Sequence, residues 1–314
     1  LGGAIAAPSG AFAQAFSMPV IGVLDSAAST PAELADFYAG LQLEGYIRNK
    51  TLTVEYRSAS GDYSRLPALA ADLVKTRVTA MTAIGLPAAA AAKAATTTIP
   101  IIFAVAPDPV RSGLVNSLDA PGGNLTGVTD LAAGHVRRRL DLLHELIPAA
   151  PEMALLVNPL NPRADAQSEA AIAAARTMGT QLRLMRAKAD EDFTSIFDVL
   201  TAMQPRGLVI ADDELFDSRG GELGFLALHY RIPAIFEGRI FAAAGGLIGY
   251  GSSLIETYHQ AGVYTGMVLK GAKPAGLPIY QSTRIEFIIN ARTAHALGLD
   301  VSPEMLRAAN AVIK

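Results

Sequence analysis

A short motif returns along this chain at a fixed interval, and that interval constrains the fold more than any other feature. Ile99-Pro100-Ile101-Ile102-Phe103 reappears as Ile232-Pro233-Ala234-Ile235-Phe236, 133 positions later, and the apolar runs opening at Val20 and Met153 are separated by the same 133. Each run heads an alternation of strand-like and helix-like segments. Residues 20–24 are wholly apolar, as a strand buried on both faces must be. Thr30-Pro31-Ala32-Glu33 then supplies a cap, a first-turn proline and a capping-box glutamate, which predicts a helix carrying Leu34, Phe37, Tyr38 and Leu41 on one face. Further strands are expected over 52–56, 78–84 and 101–103, with a helix through Leu66, Leu69, Leu73 and Val74. The second half repeats the scheme with strands over 153–157, 182–185 and 207–211, and helices over 166–178 and around Phe193, Ile196, Phe197 and Leu200. Such alternation builds parallel sheets covered on both sides, because right-handed crossovers place helices on both faces. The expected fold is α/β, two doubly wound parallel-sheet lobes joined by a hinge, and 314 residues are more than one core usually serves.

After Gly249-Tyr250-Gly251 come an apolar helix, a loop rich in Gly and Pro over 271–278, a strand over 284–290 and a terminal helix. The expected division is lobe one over 16–130 plus about 250–282, and lobe two over 131–249 plus about 283–314. Ala13-Gln14-Ala15 has the small-x-small pattern of a signal-peptidase site behind an apolar start, so residues 1–15 read as the remnant of a secretory signal. No later run approaches the ~20 apolar residues that span a bilayer. The protein is therefore expected outside the inner membrane, in the periplasm. The absence of cysteine excludes disulfides, thiolate sites and a lipid anchor on cysteine.

In open parallel sheets ligands bind beyond the carboxyl ends of the strands. Those positions in the first lobe are Asp25 and Ser26, then Gly85, Leu86 and Pro87, then Ala106 and Asp108. In the second they are Asn158, Asp212, Asp213 and Glu237. Gly85-Leu86-Pro87 opens a helix whose free N–H groups and dipole favour an anion such as a carboxylate; ordinary strand-to-helix punctuation explains the same residues. Ser26 and Thr129 add hydroxyls. Asp212, Asp213 and Glu237 suit a cationic amine, although a helix cap beside a solvated charge also accounts for the aspartate pair. A ligand bearing both charges, such as an amino acid, would bridge the lobes. Tyr63, Phe216 and Tyr250 are candidates for its apolar part, whereas Tyr38 at helical spacing reads as packing.

Enzyme chemistry finds little support. The carboxylates Asp212, Asp213 and Glu237 have no fixed separation, the five histidines show no ligand spacing, and neither a Walker A motif nor G-x-S-x-G occurs. Arg219-Gly220-Gly221-Glu222-Leu223-Gly224 does not follow a strand closely enough for a dinucleotide loop. With a net charge of −3 and basic residues clustered only at Arg137-Arg138-Arg139, read as a solvated helix face or helix-end contact, nucleic acid is not an expected partner.

The stretch 108–115 (DPVRSGLV), continued by 117–128 (SLDAPGGNLTGV), resembles the signature of the ABC-transporter substrate-binding protein family that includes the tryptophan/tyrosine-type periplasmic binding proteins. Residues 269–274 (LKGAKP), 277–279 (LPI), Ala296-Leu297-Gly298-Leu299 and the closing 310–313 resemble it as well. The resemblance implies a type I periplasmic-binding fold with hinged lobes, no cofactor, no catalysis, and a monomer that delivers an amino acid or small aromatic carboxylate to an ABC permease. The chain departs from the family at Asp25-Ser26-Ala27-Ala28, where a histidine-containing loop is usual, and around Tyr280-Gln281-Ser282, which lacks the usual proline and glutamate. A sensory module docking on a chemoreceptor would share these lobes. A transcription factor of related fold would carry a DNA-binding helix pair where the export-like segment stands.

Overall fold

The computed structural model describes residues 18–104, 108–130, 135–148 and 150–314. The first half runs β1 (Val20–Asp25), α1 (Pro31–Leu43), β2 (Thr53–Ser58), α2 (Leu66–Lys75), β3 (Ala80–Ile84), α3 (Leu86–Ala95), β4 (Ile101–Ala104) and β5 (Leu125–Asp130). The second runs α4 (His135–Leu146), β6 (Glu152–Val157), α5 (Ala164–Thr177), β7 (Gln181–Arg186), α6 (Asp192–Met203), β8 (Leu208–Ile210), α7 (Glu214–Ser218), α8 (Gly220–His229), β9 (Ala234–Phe236), α9 (Arg239–Ala244) and β10 (Ile248–Ser252). There follow α10 (Leu254–Leu269), β11 (Tyr280–Ser282), β12 (Ile285–Asn290) and β13 (Ala311–Ile313).

Two sheets result, ordered β11-β5-β4-β3-β1-β2 and β13-β12-β10-β9-β8-β6-β7. Five strands of one match five of the other in order, β2-β1-β3-β4-β5 against β7-β6-β8-β9-β10, so the 133-residue offset is a repeat of topology as well as of sequence. Pairing is parallel except between β10 and β12, the one antiparallel pair among the described residues.

The wholly apolar strands divide their side chains between two cores, as the period of two requires. In β6, Met153, Leu155 and Val157 point into one core, Ala154 and Leu156 into the other. In β1, Ile21 and Val23 oppose Leu24 in the same way. The capping box of α1 forms as expected: Thr30 accepts from the Glu33 amide, and the Glu33 carboxylate accepts from the Thr30 amide at 2.6 Å.

The chain passes between sheets three times: between β5 and α4, between β10 and α10, and between β11 and β12. Tyr250 lies inside β10, and the second passage comes at Ser252-Ser253. Helix α10 then packs along α1 of the first lobe, backbone against backbone. A Cβ on Gly40 would lie 2.9 Å from the Val263 amide, and one on Gly262 would lie 2.9 Å from the Leu41 amide.

Candidate functional site

The two rims meet. Tyr63, just after β2 in the first lobe, donates its hydroxyl to Asp213 Oδ2 (3.1 Å) and Glu214 Oε2 (3.3 Å) in the second. Glu214 Oε1 in turn accepts the Leu86 amide at the start of α3, at 3.2 Å. Gly85 makes the approach possible. Its φ of +89° belongs to the region glycine favours, and a Cβ there would lie 2.8 Å from Glu214 Cγ. The lobes are therefore described in a closed arrangement.

The helix start expected to receive a ligand's carboxylate is filled by the protein itself. Leu86 N–H goes to Glu214, Pro87 has no N–H, and Ala88 N–H goes to Ser26 Oγ at 3.0 Å. Ser26 also donates to the Ile84 carbonyl (2.9 Å), which fixes the β1 and β3 loops together. Asp25 holds its own loop: its carboxylate accepts from the Ala27 and Ser29 amides and from the Tyr56 hydroxyl at 2.6 Å.

On the second rim the two aspartates have separate duties. Asp213 caps α7 through the Leu215 amide and accepts from Asn158 (3.0 Å) and Asn161 (2.8 Å). The cap read from sequence is present, but the charge beside it is not solvated. Asp212 and Glu237 share Arg139, a fully buried guanidinium 2.6 Å from Asp212 Oδ1 and 3.2 Å from Glu237 Oε2. Arg139 also donates to the Tyr250 and Ile210 carbonyls. The solvated-face reading of the arginine run holds for Arg137 and Arg138 and fails for Arg139, whose helical position turns inward. His135 completes a group with Asp212 and Glu237 whose ligand atoms lie within 4.8 Å. Because Arg139 bridges both carboxylates, a cation already sits where a metal would draw on them. Burial lowers the His135 pKa to about 4.

Several other residues singled out in the sequence make local contacts. Tyr250 packs edge-on against His135 and Phe287, Phe216 is core against Phe193, and Tyr38 packs on Phe37 beneath Arg48. Thr129 is buried on β5. Asp108 is exposed and caps its own turn through the Arg111 amide. Ala106 lies outside the described residues.

Among the described residues, two adjoining cavities run between the lobes, about 320 Å³ and 780 Å³, both open to solvent. Glu33, Asp217 and Leu254 line both. The sequence reading reached Asp25 and Glu237 among their walls but missed Asp217 and Glu214. A signal existed: on a helix opening after Asp213, Asp217 falls three and four positions from Glu214 and Asp213, on the same face.

Burial, and then the Asp213 charge, raise the Glu214 pKa to about 7. In an open form the same carboxyl faces water and titrates near the ordinary carboxylate value. Between those values the closed form binds more protons, so closure is favoured as pH falls toward 5 and opposed as it rises to 8. Asp213 acts in the same direction, and Arg163 opposes it. Small-angle scattering of ligand-free protein should show a smaller radius of gyration at pH 5.5 than at pH 8 (each about one unit above one of the two values). Glu214→Gln should flatten the dependence. An unchanged profile in that variant would assign the effect elsewhere.

Comparison with known proteins agrees with this construction. Residues 21–313 match the family model described as ABC transporter substrate binding protein. A tyrosine-binding protein of Clostridioides difficile is 26% identical over 263 residues, 84% of this chain and 75% of that one. The ABC domain from Streptococcus pneumoniae solved in complex with L-Trp superposes with a TM-score of 0.82 at 25% identity, covering 95% of this chain and all of the other. A conserved domain protein of Vibrio cholerae gives 0.84 at 24% identity, covering 94% and 100%. The fold is that of type I periplasmic binding proteins, and the family binds solutes rather than transforming them. The chain belongs to the ABC transporter substrate binding protein family.

Proposed function

We propose that the protein is the solute-binding component of an ABC importer, working in the periplasm as a monomer and presenting an amino-acid-like ligand to its permease. The observation that carries this reading is the cleft: residues of both sheets line one cavity system, and side chains of one lobe bond the other across it. The tyrosine-binding relative and the tryptophan complex support an amino-acid-like ligand. The small-x-small pattern at Ala13-Gln14-Ala15 supports export, and no helix among the described residues is long and apolar enough to cross a membrane.

Titration calorimetry and thermal melts against the twenty amino acids and related amines and carboxylates test the reading. A true ligand at a hundred times its Kd should stabilise the closed protein by about 2.7 kcal/mol, a rise of several degrees in Tm. Turnover of a ligand without a stable complex would refute it.

A further inference from the structure

The charges on the larger cavity are one-sided. Glu33, Asp36, Asp217, Glu237 and Glu286 line it, against Arg239 as the only basic residue among the described walls. Asp217 and Glu237 stand together on the wall of this cavity, and the Glu237 charge raises the cost of ionising Asp217 beyond what burial imposes. Glu237 is answered on one side by Arg139. Asp217 is not so answered: its Oδ1 is shut off from water and accepts no hydrogen bond from the described residues. Two carboxylates brought together at a cavity wall repel unless a proton or a cation lies between them. The start of α3, meanwhile, has no free N–H groups left for a carboxylate, because Glu214 and Ser26 hold them. Leu254 and the exposed Ile240 and Ile255 supply apolar surface on the same cavity.

We propose that the ligand of this cleft carries net positive charge: an ammonium held between Asp217 and Glu237, on an apolar body lying against Leu254, Ile240 and Ile255. The inference rests on the solute-binding reading and narrows it to cationic amines, including basic amino acids, while setting aside anionic aromatic carboxylates. An ammonium supplies three donors and one positive charge, which removes the repulsion between the two carboxylates in one contact.

Two series that hold shape and vary charge provide the test. Tyramine, tyrosine and 3-(4-hydroxyphenyl)propionate share a ring; pentane-1,5-diamine, lysine and glutarate share an aliphatic chain. Affinities measured by calorimetry on the wild-type protein should fall in the order amine or basic amino acid, neutral zwitterion, carboxylate, with at least tenfold between the ends of one series. Asp217→Asn should weaken the best cation at least tenfold while raising the Tm of the ligand-free protein, since it removes a buried like-charge contact. These opposite signs separate loss of a contact from loss of the fold. Carboxylates binding as well as amines, or an Asp217→Asn protein that holds the cation unchanged, would overturn the inference and leave solute binding standing. Silence from both series together with silence from the twenty amino acids would overturn both.

Discussion

Replacing Arg139 by methionine should cost about 3–5 kcal/mol of stability, the range for removing one partner of a buried ion pair. Arg139 is completely buried and touches four acceptors: Asp212, Glu237 and the Tyr250 and Ile210 carbonyls. Burial by itself would raise the Asp212 pKa, but the charge of Arg139, joined by Arg163 and His135, offsets it and leaves the carboxyl below its ordinary value. Without the guanidinium both carboxyls must take up protons or stay charged in an apolar setting, and two carbonyls lose their donor. Urea denaturation at pH 7 should show the loss, and lowering the pH should recover part of it as Asp212 and Glu237 protonate. The triple variant Arg139→Met, Asp212→Asn, Glu237→Gln should be more stable than Arg139→Met alone, since it removes the stranded charges. A loss below about 1 kcal/mol would mean that Arg139 acts as an exposed pair does.

The same residue shows what the sequence disclosed and what it concealed. Wholly apolar runs such as 20–24 and 153–157 can be satisfied in few ways other than as strands covered on both faces, and their 133-residue offset carried the topology. The capping box at Thr30 and Glu33 was equally legible, because cap and partner are three residues apart. Site chemistry is decided by distant partners. Nothing near Asp213 in sequence announces Asn158 or Tyr63, and nothing near Gly85 announces that Glu214 crosses from the other lobe to the helix start. Strand-end position directed attention to Asp25 and Glu237, which line the two cavities. It could not separate a carboxylate that faces the cavity from one committed to its own loop, because that depends on which side chains arrive from elsewhere. Arg139 was concealed by its neighbours, since Arg137 and Arg138 share the run but not its helical face.

The second large effect is expected one helical turn beyond the cleft wall, at Gly262. Alanine is the better helix former by about 1 kcal/mol, so in an exposed helix Gly262→Ala would stabilise. Here the methyl would run into the Phe37 carbonyl and lie 2.9 Å from the Leu41 amide, both rigid backbone atoms of α1. The helices must separate, and overpacking of this kind costs about 1–3 kcal/mol, occasionally more. The net outcome should be a fall in Tm of several degrees despite the gain in propensity. Gly40→Ala meets the His259 carbonyl on the other side of the contact and should behave alike. The double variant should lose less than the sum, because one separation relieves both clashes. Gly276→Ala, with open space around its Cβ, is the control and should be nearly neutral. Binding should report the same event. Helix α10 begins where the chain leaves β10, and it carries Leu254 and Tyr258 into the cavity wall, opposite Glu33 at the head of α1. Forcing the two helices apart moves one wall of the cleft against the other, so ligand affinity should fall in Gly262→Ala although Gly262 lines neither cavity. An unchanged affinity alongside a lowered Tm would show that the α1–α10 contact holds the first lobe together without setting the shape of the site.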